Sequence, residues 1–222
     1  MPTSIAGLKK RSNELFDSSL ATVVNARIDA AVQAHSPTET NAAFSLATFG
    51  LADDFYASLG IGKFTGLPTV RWNNMDDFMF IPDSASPFSY TTSKGDVIQP
   101  RLMETDGGSI PRILRGFKNF SSWGYAPGFI IHDWIFTAHK CSHTPDNKFG
   151  FGDSATILAE CMKTLMEVGY TNFDGQTVRL ETAKDTLYVI YLAVDSSIAK
   201  KLWDTPGSVV CYPKTAAANP SR

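Results

Sequence analysis

The sequence predicts an α+β fold dominated by helices, with a small antiparallel sheet, a three-helix C-terminal part and a helical N-terminal arm. Three observations predict it. Apolar residues recur at helical spacing near both ends of the chain. The stretch after Gly60 instead alternates in short runs broken by turn residues. Between them lies "APGFIIHDWIFTAHK", an apolar run of helical length.

Residues 4–34 read as the first helix, because Leu8, Leu15, Leu20, Val23, Val24, Ile28 and Val32 fall near a 3.6-residue period. Pro37 in "HSPTET" stops it. A second helix over 41–59 is weakened by Gly50. Residues 1–60 are therefore read as an arm, either a contact surface for another subunit or a segment packed on the rest. From Gly60 on, "TVRW" and "FMFI" are short strands, and "NNMDD", "PDSASP" and "SKGD" are turns. A glycine turn, "TDGGSIPR", then leads to a helix over 127–140, where Pro127 suits the first turn. A helix over 154–168 ends near Gly169. A last one follows the "DGQ" turn, with Leu180, Leu187, Ile190, Val194, Ile198 and Leu202 on one stripe. The expected division is an arm over 1–60, one α+β domain over 61–210 and a loose tail over 211–222.

The bulk properties exclude several classes. Hydrophobic residues at 43% and aromatics at 12% are globular values, and 222 residues are ample for a core. The net charge is −2 with Lys and Arg scattered, so nucleic acid is not an expected partner. No run reaches the roughly 18 apolar residues of a membrane span. The N-terminus has basic residues without an apolar segment behind them, so no signal peptide is expected. Cys141, Cys161 and Cys211 are odd in number and widely spaced, which predicts no disulfide and a reducing cytoplasmic origin.

Chemistry concentrates in "GFIIHDWIFTAHKCSH", residues 128–143, which holds three of the four histidines. On a helix His132 and Asp133 point about 100° apart. His132 then shares a face with Phe129, Phe136 and His139, and Asp133 with Thr137 and Lys140. A histidine base wants a carboxylate to hold its tautomer, and the adjacent Asp133 points away. Asp153 or Glu160, on the following helix, can supply it. Upstream, "ETDGGSIPR" has two readings. Asp106 beside the Gly107–Gly108 backbone could offer oxygens to a hard cation such as calcium. Equally, Asp106-Gly107 is a turn and Ser109 an N-cap, and the physics of the residues favours this plainer form. His139, Cys141 and His143 have only one residue between each pair, against the two to four usual in zinc sites, and His is at home at a helix C-terminus. Cys161 shares an apolar stripe with Leu158 and Leu165 and reads as core. Arg112 and Arg115 could hold an anion or pair with Glu104 or Asp106. Trp123 and Tyr125 would line a cleft.

"TDGGSIPRIL", then "APGFIIHDWIF", then "GDSATILAECMKTL" resembles a domain family of unknown function found in bacteriophage and prophage proteins. The resemblance covers about residues 64–170, and Phe136 stands where the pattern usually has Tyr. It implies a protein made in the host cytoplasm and carried in the virion, whose arm would meet other virion proteins or a second copy. The order of motifs is in turn similar to phospholipases A2 with an "HDxxY" helix. That similarity implies ester hydrolysis on a lipid, with His132 as base for a water, Asp133 as calcium ligand and Asp153 as orienting carboxylate. The tyrosine- and glycine-rich calcium loop of those enzymes is missing. "TDGGS", with Asp106 and Gly107, or "SSWGYAPG" at 121–128 would have to replace it. In the other reading the protein is a non-enzymatic virion or assembly component, and the same pair ties the loop to the helices through a buried network.

Overall fold

The computed structural model describes residues 51–74, 77–105, 125–182, 184–195, 197–207 and 209–213. The arm helix over 4–34 lies outside these residues, as do Asp106, Gly107, Arg112, Arg115 and Trp123. The order begins α1 (Leu51–Ser58), β1 (Lys63–Thr65), β2 (Thr69–Asn74), β3 (Asp77–Ile81), β4 (Ser89–Thr91), β5 (Val97–Ile98), β6 (Met103–Thr105). It continues α2 (Ala126–Lys140), a 3-10 turn (Asp146–Lys148), α3 (Phe151–Glu167), β7 (Tyr170–Thr171), β8 (Thr177–Val178), α4 (Lys184–Val194) and α5 (Ser197–Asp204). The class is α+β, as the sequence predicts. The strands divide between two three-stranded antiparallel sheets, β1-β4-β5 and β2-β3-β6, and a β7-β8 hairpin.

Two buried clusters share α2 and α3. One joins Phe55 and Tyr56 of α1 to Phe129, Leu158, Met162 and the α4 residues Leu187, Ile190 and Tyr191. The other joins the sheet residues Phe80, Tyr90, Ile98 and Met103 to Ile130, Ile131, Trp134, Ile135, Cys161 and Trp203. A helix apolar all round belongs inside a protein, and 11 of the 15 residues of α2 are buried. Gly128 lets it approach α3, since a side chain there would begin 3.2 Å from Cys161 Cβ. Packing does not divide the chain at residue 60, because Ala52, Phe55, Tyr56 and Leu59 belong to the first cluster.

Three local expectations are corrected. The last helix does not start after "DGQ". Asn172 Oδ1 accepts the amides of Asp174 (3.0 Å) and Gln176 (2.8 Å), and Gly175 takes φ +75°, so this stretch closes a hairpin instead. Helix resumes only at Lys184 and occurs as two pieces, α4 and α5. α3 starts at Phe151 rather than 154, with Asp153 in its first turn. The third correction concerns cysteine. Cys141, at the C-cap of α2, is disulfide-bonded to Cys211 with Cα atoms 5.6 Å apart. Their 70-residue separation hides the pairing in the sequence. It ties down Cys211 at the start of the tail expected to be loose, and it removes the argument for a reducing origin. Cys161 is free and buried, as expected of a core residue. No helix among the described residues is long and apolar enough to cross a membrane.

Candidate functional site around His132

Three consecutive residues in the middle of α2 each reach a different neighbour. The 100° step between them aims His132 at α3, Asp133 at the end of β6 and Trp134 at the 3-10 turn. His132 is 2% exposed, and its Nδ1 lies 3.2 Å from the carbonyl oxygen of Ser154. A carbonyl only accepts, so this contact places the ring proton on Nδ1 when the imidazole is neutral. Phe136 packs against the ring at 5.1 Å, one turn along the shared face. Burial disfavours the imidazolium and lowers the His132 pKa to about 4, against a smaller upward pull from the Ser154 carbonyl.

Asp133 Oδ2 accepts the Thr105 hydroxyl at 2.5 Å. Thr105 is the first residue of "TDGGSIPR", so this carboxylate anchors the point where that segment leaves β6. Trp134 donates its indole N–H to Asp146 Oδ2 at 2.6 Å. Asp146 also receives the Gln99 amide at 3.4 Å. Its pKa is raised, because burial outweighs those two hydrogen bonds and the nearby Arg101 and Lys148. Arg101 lies 5.9 Å from the centre of the Trp134 ring, and its guanidinium donates to the Thr144 carbonyl at 2.8 Å.

The other residues singled out by the sequence are placed apart from His132. Asp153 turns its carboxylate back on its own helix and accepts the Gly150 amide at 2.9 Å, a capping contact at an exposed position. The group facing His132 is the backbone of the next residue. Glu160 is buried elsewhere. It accepts from the Tyr90 hydroxyl (2.9 Å), the Ser93 amide (2.9 Å) and the Ser93 hydroxyl (2.6 Å), so it pins the β4–β5 turn to α3. Glu160→Ala should therefore cost about 2–4 kcal/mol by removing three hydrogen bonds to a charged acceptor. Denaturant titration checks this, and a loss below about 1 kcal/mol would mean that the turn holds without it.

The histidine-cysteine run is dispersed by the fold. His139 stacks on Trp203 at 4.0 Å, His143 stacks on Trp134 at 5.4 Å, and Cys141 is in the disulfide. Among the described residues no group of three or more His, Cys, Asp or Glu side chains could share a metal ion. Calcium wants six to eight oxygens. Of its expected ligands only Asp133 lies among the described residues, and one of its oxygens is engaged by Thr105.

Sequence reasoning missed Asp146, Thr105 and Ser154. Asp146 left one usable signal: a tryptophan inside an apolar helix needs an acceptor for its indole N–H, and an aspartate follows 12 residues later. The Ser154 carbonyl left none, because backbone groups are the same at every residue.

No curated protein and no solved structure matches the chain. Residues 84–169, which run from the approach to β4 through α3 and include Thr105, Asp146 and Ser154 beside the His132-Asp133-Trp134 triplet, match the family described as "Protein of unknown function (DUF1353)".

Proposed function

We propose that the chain is a non-enzymatic virion or assembly component of phage type, and that His132-Asp133-Trp134 is its internal clamp. The observation that carries this reading is the commitment of three adjacent buried side chains to three separate elements. Buried polar groups are retained when they are paired, and such a set fixes one arrangement of the elements it joins. Here the clamp sets β6, the 3-10 turn and α3 around α2. The beneficiary is the "TDGGSIPR" segment, whose starting point Asp133 holds. The phage setting rests on the order of the two motifs.

A second reading is favoured by one observation. With its proton on Nδ1, His132 keeps the Nε2 lone pair, and its lowered pKa leaves it unprotonated above about pH 4. Those are properties of a general base for water. In that hydrolase, acting on an ester of phospholipid type, Asp133 would anchor the loop or bind calcium with Asp106 and Gly107. The Ser154 carbonyl would take over the orienting role expected of Asp153.

One variant separates the two. Under the clamp reading, the parent does not hydrolyse p-nitrophenyl esters or phosphatidylcholine vesicles, with or without calcium. His132→Ala then lowers Tm by about 4–16 °C, from about 2–4 kcal/mol at 2–4 °C per kcal/mol. Calcium-dependent hydrolysis that disappears in a His132→Ala protein of parental Tm would sink the clamp and establish the enzyme.

A further inference from the structure

We infer that residues 205–207 and 209–213 belong to a redox-controlled strap, held against strands β3 and β6 by the Cys141–Cys211 disulfide and released by dithiols. Past Trp203 no described residue is buried, so apolar packing does not hold this segment. Three contacts do. Lys140 donates to the Thr205 carbonyl at 2.6 Å at its start, and the disulfide fixes Cys211 to the end of α2. At the far end the Tyr212 hydroxyl donates to Glu104 Oε1 at 2.9 Å, with Met79 Sδ at 3.7 Å. One exposed and one part-buried hydrogen bond are worth little beside the entropy of ordering eight or so residues, so the covalent bond decides whether the strap stays down.

What the strap holds matters. Among the described residues β6 pairs with β3 alone and lies at the edge of its sheet. It is secured from two sides, by Tyr212 on Glu104 and by Asp133 on the neighbouring Thr105. Opening the strap removes the first of these immediately before the "TDGGSIPR" segment. The bond itself is open to exchange, since Cys211 is exposed and Cys141 partly so. A dithiol thiolate attacks one sulfur to give a mixed disulfide. The reagent's second thiol then closes on the first, leaving two cysteine thiols and a cyclic oxidised reagent, with two electrons and two protons transferred to the protein. Oxidation by a disulfide donor reverses the step.

The test is amide hydrogen exchange with and without dithiothreitol, beside thiol alkylation. Air-purified protein should show one alkylatable thiol after denaturation, Cys161, and three after reduction. Reduction should speed exchange at Met103–Thr105 several-fold. Cys211→Ser should reproduce this change without reductant. Tyr212→Phe should speed Met103–Thr105 while the disulfide stays intact. Three thiols in the air-purified protein would overturn the strap. So would unchanged exchange at Met103–Thr105 in reduced protein, in Cys211→Ser or in Tyr212→Phe. None of these readouts depends on whether the His132 triplet is a clamp or a catalyst.

Discussion

Trp134→Ala is expected to destabilise the chain by about 4–8 kcal/mol, enough to leave much of it unfolded at 37 °C. Two costs combine. Removing a fully buried indole from a core costs about 3–5 kcal/mol in lost transfer energy and cavity formation. The Asp146 carboxylate, itself buried, also loses its 2.6 Å donor, which adds about 1–3 kcal/mol. Trp134→Phe separates the terms. It keeps most of the volume and removes only the N–H, so it should cost about 2 kcal/mol. Adding Asp146→Asn to Trp134→Phe should recover part of that loss, because a neutral amide tolerates burial better than a carboxylate. Denaturant titration of the single and double variants measures each value. Additive losses would show that the indole and the carboxylate are not coupled.

The second large effect is with pH. The folded chain holds His132 at about 4, whereas an unfolded histidine titrates near 6.5. Between these values the unfolded state binds a proton that the folded state refuses, so stability falls as pH falls through that window. The loss reaches about 2 kcal/mol at pH 5 and about 3 kcal/mol near pH 4. His139, also lowered, adds a smaller contribution of the same sign because it is mostly solvated. Asp146 acts in the opposite sense: its raised pKa means the folded state takes up a proton first, which returns some stability at the acid end. His132→Gln isolates the histidine. From pH 7 to pH 5 the parent should lose about 4–8 °C of Tm more than the variant. Parallel curves would mean that His132 accepts its proton without unfolding.

The parts of this structure legible in the sequence are those set by local pattern. The apolar period of α2, the turn residues between β1 and β6, and the core character of Cys161 all follow from neighbours a few residues away. The same reasoning placed His132 and Asp133 on different faces, and their partners do lie on different elements. Identifying those partners needed the third dimension. Thr105 and Asp133 are 28 residues apart, Tyr90 and Glu160 are 70 apart, and Cys141 and Cys211 are 70 apart. Spacing along a chain carries no information at such separations. Asp153 shows the limit at short range. Its acidic character and its place after a glycine loop suit a partner for His132 and a helix cap equally well, and the helix takes it.

The two cores that share α2 and α3 have a consequence for where this chain can be cut. The segment 84–169 contains both central helices and the strand residues Tyr90, Ile98 and Met103 beside them, but not Phe80. It lacks α1 and α4, which cover Phe129, Leu158, Ala159 and Met162 on the other side. Expressed alone, that segment would carry a bare apolar wall along two parallel rows of side chains, and such walls associate with one another. In this chain, then, the stretch recognisable as a family and the smallest piece able to close its own interior are different lengths.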